Sequence, residues 1–293
     1  MHPIELIDRV EVHNTLGECV LWDERQNAVW WTDILESRLF RYELAQRQLT
    51  TFTLPEWLGS FGFTEREGWL VCAFATGLAL YRPETGEIDW LARPEQHLNG
   101  ATRFNDGRVD RQGRFWSGTK VEDTQAGVSG SLYCLSGRTI TQVLTDLHIP
   151  NSICWSPDAS RFYFADSPTH TIQVFDFDAG SGAVTNGRTF IQTPAPYEPD
   201  GSIVDAEGLL WNAWWGGGRV VRYAHDGSVD TTVHTPVSQA TCVAFGGKDL
   251  NLLFVSSATV GMSKEQLEGE PDAGNLLIYQ TPYRGLPEVQ FKI

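Results

Sequence analysis

Cys19-Val-Leu-Trp22, Asp23-Glu-Arg-Gln-Asn27 and Ala28-Val-Trp-Trp-Thr-Asp33 read as a short apolar strand, a polar turn and a second apolar strand rich in aromatics. The same order returns along the chain. Phe61-Gly-Phe63 precedes Gly68-Trp-Leu-Val-Cys72, Arg108-Val109 precedes Gly113-Arg-Phe-Trp-Ser-Gly118, and Ile153-Cys-Trp155 precedes Arg161-Phe-Tyr-Phe-Ala-Asp166. Ile203-Val204 then leads to Gly208-Leu-Leu-Trp-Asn212, and Val243-Ala-Phe245 to Asn251-Leu-Leu-Phe-Val255. The last residues of the opening strands, Trp22, Phe63, Val109, Trp155, Val204 and Phe245, are spaced by 41, 46, 46, 49 and 41 residues. Self-similarity near forty residues is the signature of propellers and solenoids.

A third strand follows in each unit: Arg38-Leu-Phe-Arg-Tyr42, Leu78-Ala-Leu-Tyr81, Ser131-Leu-Tyr-Cys134, Thr171-Ile-Gln-Val-Phe175, Arg219-Val-Val-Arg-Tyr223 and Asn275-Leu-Leu-Ile-Tyr279. Their β-branched and aromatic residues favour strands, and turns such as Glu84-Thr-Gly86 and Asp226-Gly227 suit hairpins. A unit of this size with three or four antiparallel strands is one propeller blade. The expected fold is therefore all-β, a six-bladed β-propeller, with residues 1–293 as one domain. Ile4-Glu-Leu-Ile-Asp-Arg-Val10 is expected to pair beside the C-terminal strands and close the ring, because an open sheet edge invites unwanted pairing.

The chain carries a formal charge of −15 with a sequence pI near 4.8. Such a surface repels phosphate backbones and anionic headgroups, which argues against nucleic-acid and membrane roles. The five cysteines are an odd number, sit mostly in apolar runs and include no C-x-x-C pair, so they read as small buried hydrophobes of a reducing compartment. With no basic segment leading into an apolar one at the start, and no run of about eighteen apolar residues, the expected location is the cytoplasm. The expected assembly is a monomer or weak homo-oligomer.

Four residues back from each anchor stand Glu18, Gly59, Asn105, Asn151, Asp200 and Thr241. Side chains at one phase of a ring converge on its axis. Glu18, Asn151 and Asp200 offer two carboxylates and an amide oxygen, with Asn105 either a fourth donor or a group behind them. Hard divalent cations select oxygen ligands, and a site with three or four protein ligands keeps positions open for water and substrate. Turn formation accounts for Asn and Asp at any one position but not for their shared register.

The runs around these positions are distinctive: Leu16-Gly-Glu-Cys19, Arg103-Phe-Asn-Asp-Gly-Arg-Val-Asp110, Ile149-Pro-Asn-Ser152, Glu198-Pro-Asp-Gly201 and Pro271-Asp-Ala-Gly-Asn275. Together they resemble the regucalcin (senescence marker protein)/gluconolactonase family of metal-dependent sugar lactonases, six-bladed propellers, over essentially the whole chain. The resemblance implies that Glu18, Asn151 and Asp200 hold one divalent metal cation. It also implies that Arg103 and Asn105 contact a sugar lactone, and that Glu122 or Asp123 touches its hydroxyls. The implied reaction is hydrolysis of an aldonolactone to its aldonic acid. The metal would polarise the carbonyl, and Asp200 would act as general base, taking the proton of the attacking water and returning it to the leaving ring oxygen. Oxygen ligation puts calcium first, with Mn, Mg, Zn and Fe(II) as alternatives. The rival readings are a calcium-propeller phosphotriesterase and a non-catalytic calcium-binding regulatory propeller.

Other signals are weaker. Seven histidines form no H-E-x-x-H motif and no G-x-S-x-G elbow occurs, which disfavours zincin and triad chemistry. Trp214 and Trp215 are candidates either for stacking on a sugar or for blade packing. Asp110, Asp205 and Asp226 read as structural turn residues, and the loops 123–130 and 193–199 as the rim of the pocket.

Overall fold

A computed structural model describes residues 3–293. It contains six antiparallel sheets of four strands each, a six-bladed β-propeller. Blade 1 runs through Gly17–Asp23, Ala28–Asp33, Arg38–Glu43 and Gln48–Thr53. Blades 2 to 5 repeat this meander from inner strands Leu58–Phe63, Thr102–Val109, Pro150–Trp155 and Glu198–Val204. The sixth blade begins at Ala240–Gly246, and its outermost strand is the N-terminal Glu5–Val10, antiparallel to Leu276–Gln280. The first and last segments of the chain thus share one sheet, which removes the edge that either would expose.

The inner strands Leu58–Phe63, Pro150–Trp155 and Ala240–Gly246 are buried on both faces, whereas an outer strand such as Gln48–Thr53 buries mainly Phe52. The reason is radial packing. Six apolar clusters fill the six blade-to-blade interfaces. Between blades 3 and 4, Trp116 and Trp155 meet edge-on at 5.7 Å between ring centroids.

Turn aspartates tie the hairpins to these aromatics. Asp110 accepts from Arg114 N and, through Oδ2, from Trp116 Nε1 at 2.9 Å. In blade 5 Asp205 does the same with Leu209 N and Trp211 Nε1, also at 2.9 Å. Asp226 caps its own turn through Ser228 N at 3.0 Å. Trp214 is buried, donates to Tyr223 Oη at 3.0 Å and lies against Tyr197. All five cysteines are buried and free. Among the described residues no helix is long and apolar enough to cross a membrane.

Candidate functional site

Every inner strand carries a register break at the phase of the polar ring: Glu18/Leu21, Leu58/Ser60, Phe104/Gly107, Asn151/Cys154, Pro199/Ser202 and Ala240/Val243. A bulge leaves a residue outside the ladder and bends the strand, which re-aims its side chains. Two of these breaks hold the following residue at positive φ, Cys19 at 49° and Ser152 at 59°. The break is the local device that turns Glu18 and Asn151 toward the axis.

Glu18, Asn105, Asn151 and Asp200 line one cavity of about 380 Å³, together with Arg103, Lys120, Glu122, Ser167, Glu198 and Trp215. The ring divides there. Gly59 contributes no side chain, and a Cβ on it would stand 2.5 Å from the Phe104 carbonyl oxygen, so glycine is what lets blade 3 come this close to blade 2. Thr241 hydrogen-bonds to the Gly17 carbonyl and to Ser256 Oγ and is fully buried.

The amides form a directed chain. Arg103 Nη1 donates to Asn105 Oδ1 at 3.0 Å, and Asn105 Nδ2 donates to Asn151 Oδ1 at 3.1 Å and to the Pro150 carbonyl at 3.0 Å. Asn151 Nδ2 donates to Ser167 Oγ at 2.8 Å, which donates to the Pro199 carbonyl at 2.7 Å. Both ends of the Asn105 amide are thus engaged, so Asn105 stands behind Asn151 and orients it. Asn151 Oδ1 accepts one hydrogen bond and keeps a second lone pair.

The two carboxylates are in an unfavourable setting. Burial, then the charge of Asp106, pushes the Glu18 carboxyl up to about 8. Burial, then Glu18, raises Asp200 well above the ordinary carboxylate range. Asp200 is held through its backbone, whose carbonyl accepts from Ser152 Oγ at 2.7 Å and Asn212 Nδ2 at 2.8 Å, while its Oδ1 is buried without any partner. A buried carboxylate oxygen left unpaired beside a second carboxylate costs free energy unless something positive resolves it. A hard divalent cation does so, and the oxygen donor set of Glu18, Asn151 and Asp200 fits one. Among the described residues no group of three His, Cys, Asp or Glu side chains is placed to hold a metal.

Arg103 is buried, and its Nε donates to Glu122 Oε1 at 2.7 Å. Lys120 Nζ lies 3.2 Å from the same oxygen. Asp123 is exposed, does not line the cavity and accepts from Gln125 N at 2.9 Å within its own turn. Glu122 and Asp123 both lie just past the strand Phe115–Val121, and only Glu122 turns back onto Arg103 and Lys120. Of the two loops expected at the rim, 123–130 contributes no lining residue and 193–199 contributes Glu198. Trp215 lines the cavity while Trp214 packs in the blade. Sequence reasoning missed Lys120, Ser167 and Glu198; the last sits two residues before Asp200 at the start of the same inner strand.

A family model described as SMP-30/Gluconolactonase/LRE-like region matches residues 16–259. An L-arabinolactonase of Azospirillum brasilense is 38% identical over 285 residues, covering 96% of this chain and 93% of that protein. A 6-deoxy-6-sulfogluconolactonase of Pseudomonas putida is 34% identical, covering 95% of each. The crystal structure of a calcium-binding protein, regucalcin, from Agrobacterium tumefaciens superposes with a TM-score of 0.91 at 32% identity, covering 98% of both chains. The chain belongs to the SMP-30/gluconolactonase/LRE-like family, which includes carboxylic-ester hydrolases of the lactonase type.

Proposed function

We propose that this carboxylic-ester hydrolase opens a sugar-derived lactone to its aldonic acid at the axial cavity, with one divalent cation held by Glu18, Asn151 and Asp200. The observation that carries the reading is the buried, unpartnered Asp200 Oδ1 beside the raised carboxyl of Glu18, in a cavity that also presents Arg103. When bound, the cation supplies Lewis-acid polarisation of the lactone carbonyl. Calcium comes first among the candidates because every donor is a hard oxygen, with Mn, Mg, Zn and Fe(II) behind it.

Asp200 serves as general base. Water adds to the carbonyl carbon as its proton passes to the Asp200 carboxylate, the ring C–O bond breaks, and the proton returns to the ring oxygen as the new hydroxyl. Arg103 orients the lactone from the blade 3 wall, with Asn105 behind it holding Arg103 Nη1, and Glu122 accepts from the lactone hydroxyls. Both relatives named as lactonases act on sugar lactones by their names, which supports the substrate class without fixing the sugar.

The test is a chelated protein reloaded with single divalent ions and offered glucono-, xylono-, arabinono- and galactonolactones beside a phosphotriester, with spontaneous hydrolysis subtracted. Metal-restored acid release from a lactone is the expected result. Turnover of the phosphotriester alone, or tight ion binding with no turnover, would replace this reading.

A further inference from the structure

Arg103 and Lys120 are direct cross-strand partners in blade 3, paired in the ladder between Thr102–Val109 and Phe115–Val121. Directly opposite residues of an antiparallel pair share a face, and like charges there destabilise the sheet. The arrangement is aggravated by burial: the Arg103 side chain is 5% exposed and that of Lys120 22%. A single carboxylate oxygen, Glu122 Oε1, serves both cations, at 2.7 Å and 3.2 Å. Arg103 has further partners in the Phe104 carbonyl at 2.9 Å and Asn105 Oδ1. Lys120 has none besides Glu122 among the described residues, yet it faces the same cavity as Glu18, Asn151 and Asp200.

Two cations held side by side at a cavity wall, with one oxygen between them, are a poor arrangement for stability and a good one for a ligand rich in oxygen. The Lys120 ammonium has three N–H donors and Glu122 Oε1 takes one, while Glu122 keeps Oε2 as an acceptor. Donor and acceptor therefore lie side by side on the cavity wall, as adjacent hydroxyls of a sugar require. We propose that Lys120 is a further substrate-binding residue of this site, which pairs with Glu122 to grip neighbouring hydroxyls of the lactone and of the aldonate it becomes. The inference rests on the lactonase reading and deepens it, by making a polyhydroxylated chain the feature that the blade 3 wall selects.

Calorimetry on the cation-loaded protein with D-gluconate and L-arabinonate as probes, run beside metal titrations and thermal melts, tests it. In Lys120→Met the aldonate Kd and the lactone KM should rise about 10- to 100-fold, the loss expected of one hydrogen bond to a charged group. Lys120→Arg, which keeps a donor, should recover most of it. Metal Kd should stay put, and the Met variant should melt no lower than the parent, because it relieves the repulsion with Arg103. An unchanged aldonate Kd, or a metal Kd that rises in step with it, overturns the role of Lys120. A marked fall in Tm with no loss of aldonate binding would make Lys120 a structural partner of Glu122 only. A parent protein that neither binds an aldonate nor hydrolyses any lactone would instead fail the lactonase reading itself.

Discussion

Asn105 and Asn151, on the inner strands of neighbouring blades, are joined by a hydrogen bond in which Asn105 Nδ2 donates to Asn151 Oδ1 at 3.1 Å. The bond fixes which end of the Asn151 amide faces the axis, since its other end is committed to Ser167 Oγ. Groups that orient a metal ligand typically change affinity by 10- to 100-fold when removed. Asn105→Ala is therefore expected to weaken divalent-cation binding by about that factor, measured calorimetrically. Unaltered affinity would show that Asn151 needs no such support.

In the proposed reaction Asp200 combines two roles that a neutral isostere separates. Asp200→Asn removes the base and should lower kcat by roughly 10²- to 10⁴-fold, read from acid release by the metal-loaded protein. The same change removes a carboxyl whose raised pKa marks the cost of burying it beside Glu18, so the metal-free variant should melt higher than the parent at neutral pH. Full turnover with cation still bound would eliminate the base assignment.

The Glu18 carboxyl, pushed up to about 8 from 4.5, sets a pH dependence for the metal-free protein. An acid with a raised folded-state pKa binds more protons in the folded state, so its contribution to stability is fully present below the unfolded value and is lost as pH rises through the folded one. With chelator present, Tm should decline from about pH 5 to about pH 8. With saturating divalent cation the decline should flatten, because the cation takes the proton's place. A chelated protein whose Tm climbs across that window would contradict the electrostatics described.

Deleting residues 1–10 removes Glu5–Val10 from the sixth blade, along with the Arg9–Asp272 ion pair. Leu276–Gln280 would become an open edge. Differential scanning calorimetry should show a Tm lower by more than about 5 °C. A melt indistinguishable from the parent would mean that the ring does not need this strand.

The propeller was legible because radial packing buries both faces of the inner strands, which forces the apolar runs ending at Trp22, Phe63, Val109, Trp155, Val204 and Phe245 to recur with the blade. The shared phase of Glu18, Asn105, Asn151 and Asp200 was legible for the same reason. What each ring position does was not, because bulge geometry and inter-blade distance decide it. Gly59 is a spacer and Thr241 is locked onto Gly17 and Ser256, although both keep the register. Glu122 and Asp123 are neighbours in sequence, and only the folded structure shows that Glu122 lines the cavity while Asp123 turns back onto its own loop. The C-terminal tail left no periodic signal, since Arg108–Glu288 pairing and the buried Phe291 beside Thr64 depend on contacts from blades far away in sequence.

In the proposed site Glu18, Asn151 and Asp200 grip one cation. Crystals soaked in Mn²⁺ and measured at the manganese absorption edge address this directly. One anomalous peak is expected on the axis, within coordination distance of a Glu18 carboxylate oxygen, Asn151 Oδ1 and Asp200 Oδ1. Saturating Mn²⁺ with no peak there, or with the ion bound to other residues, would contradict it.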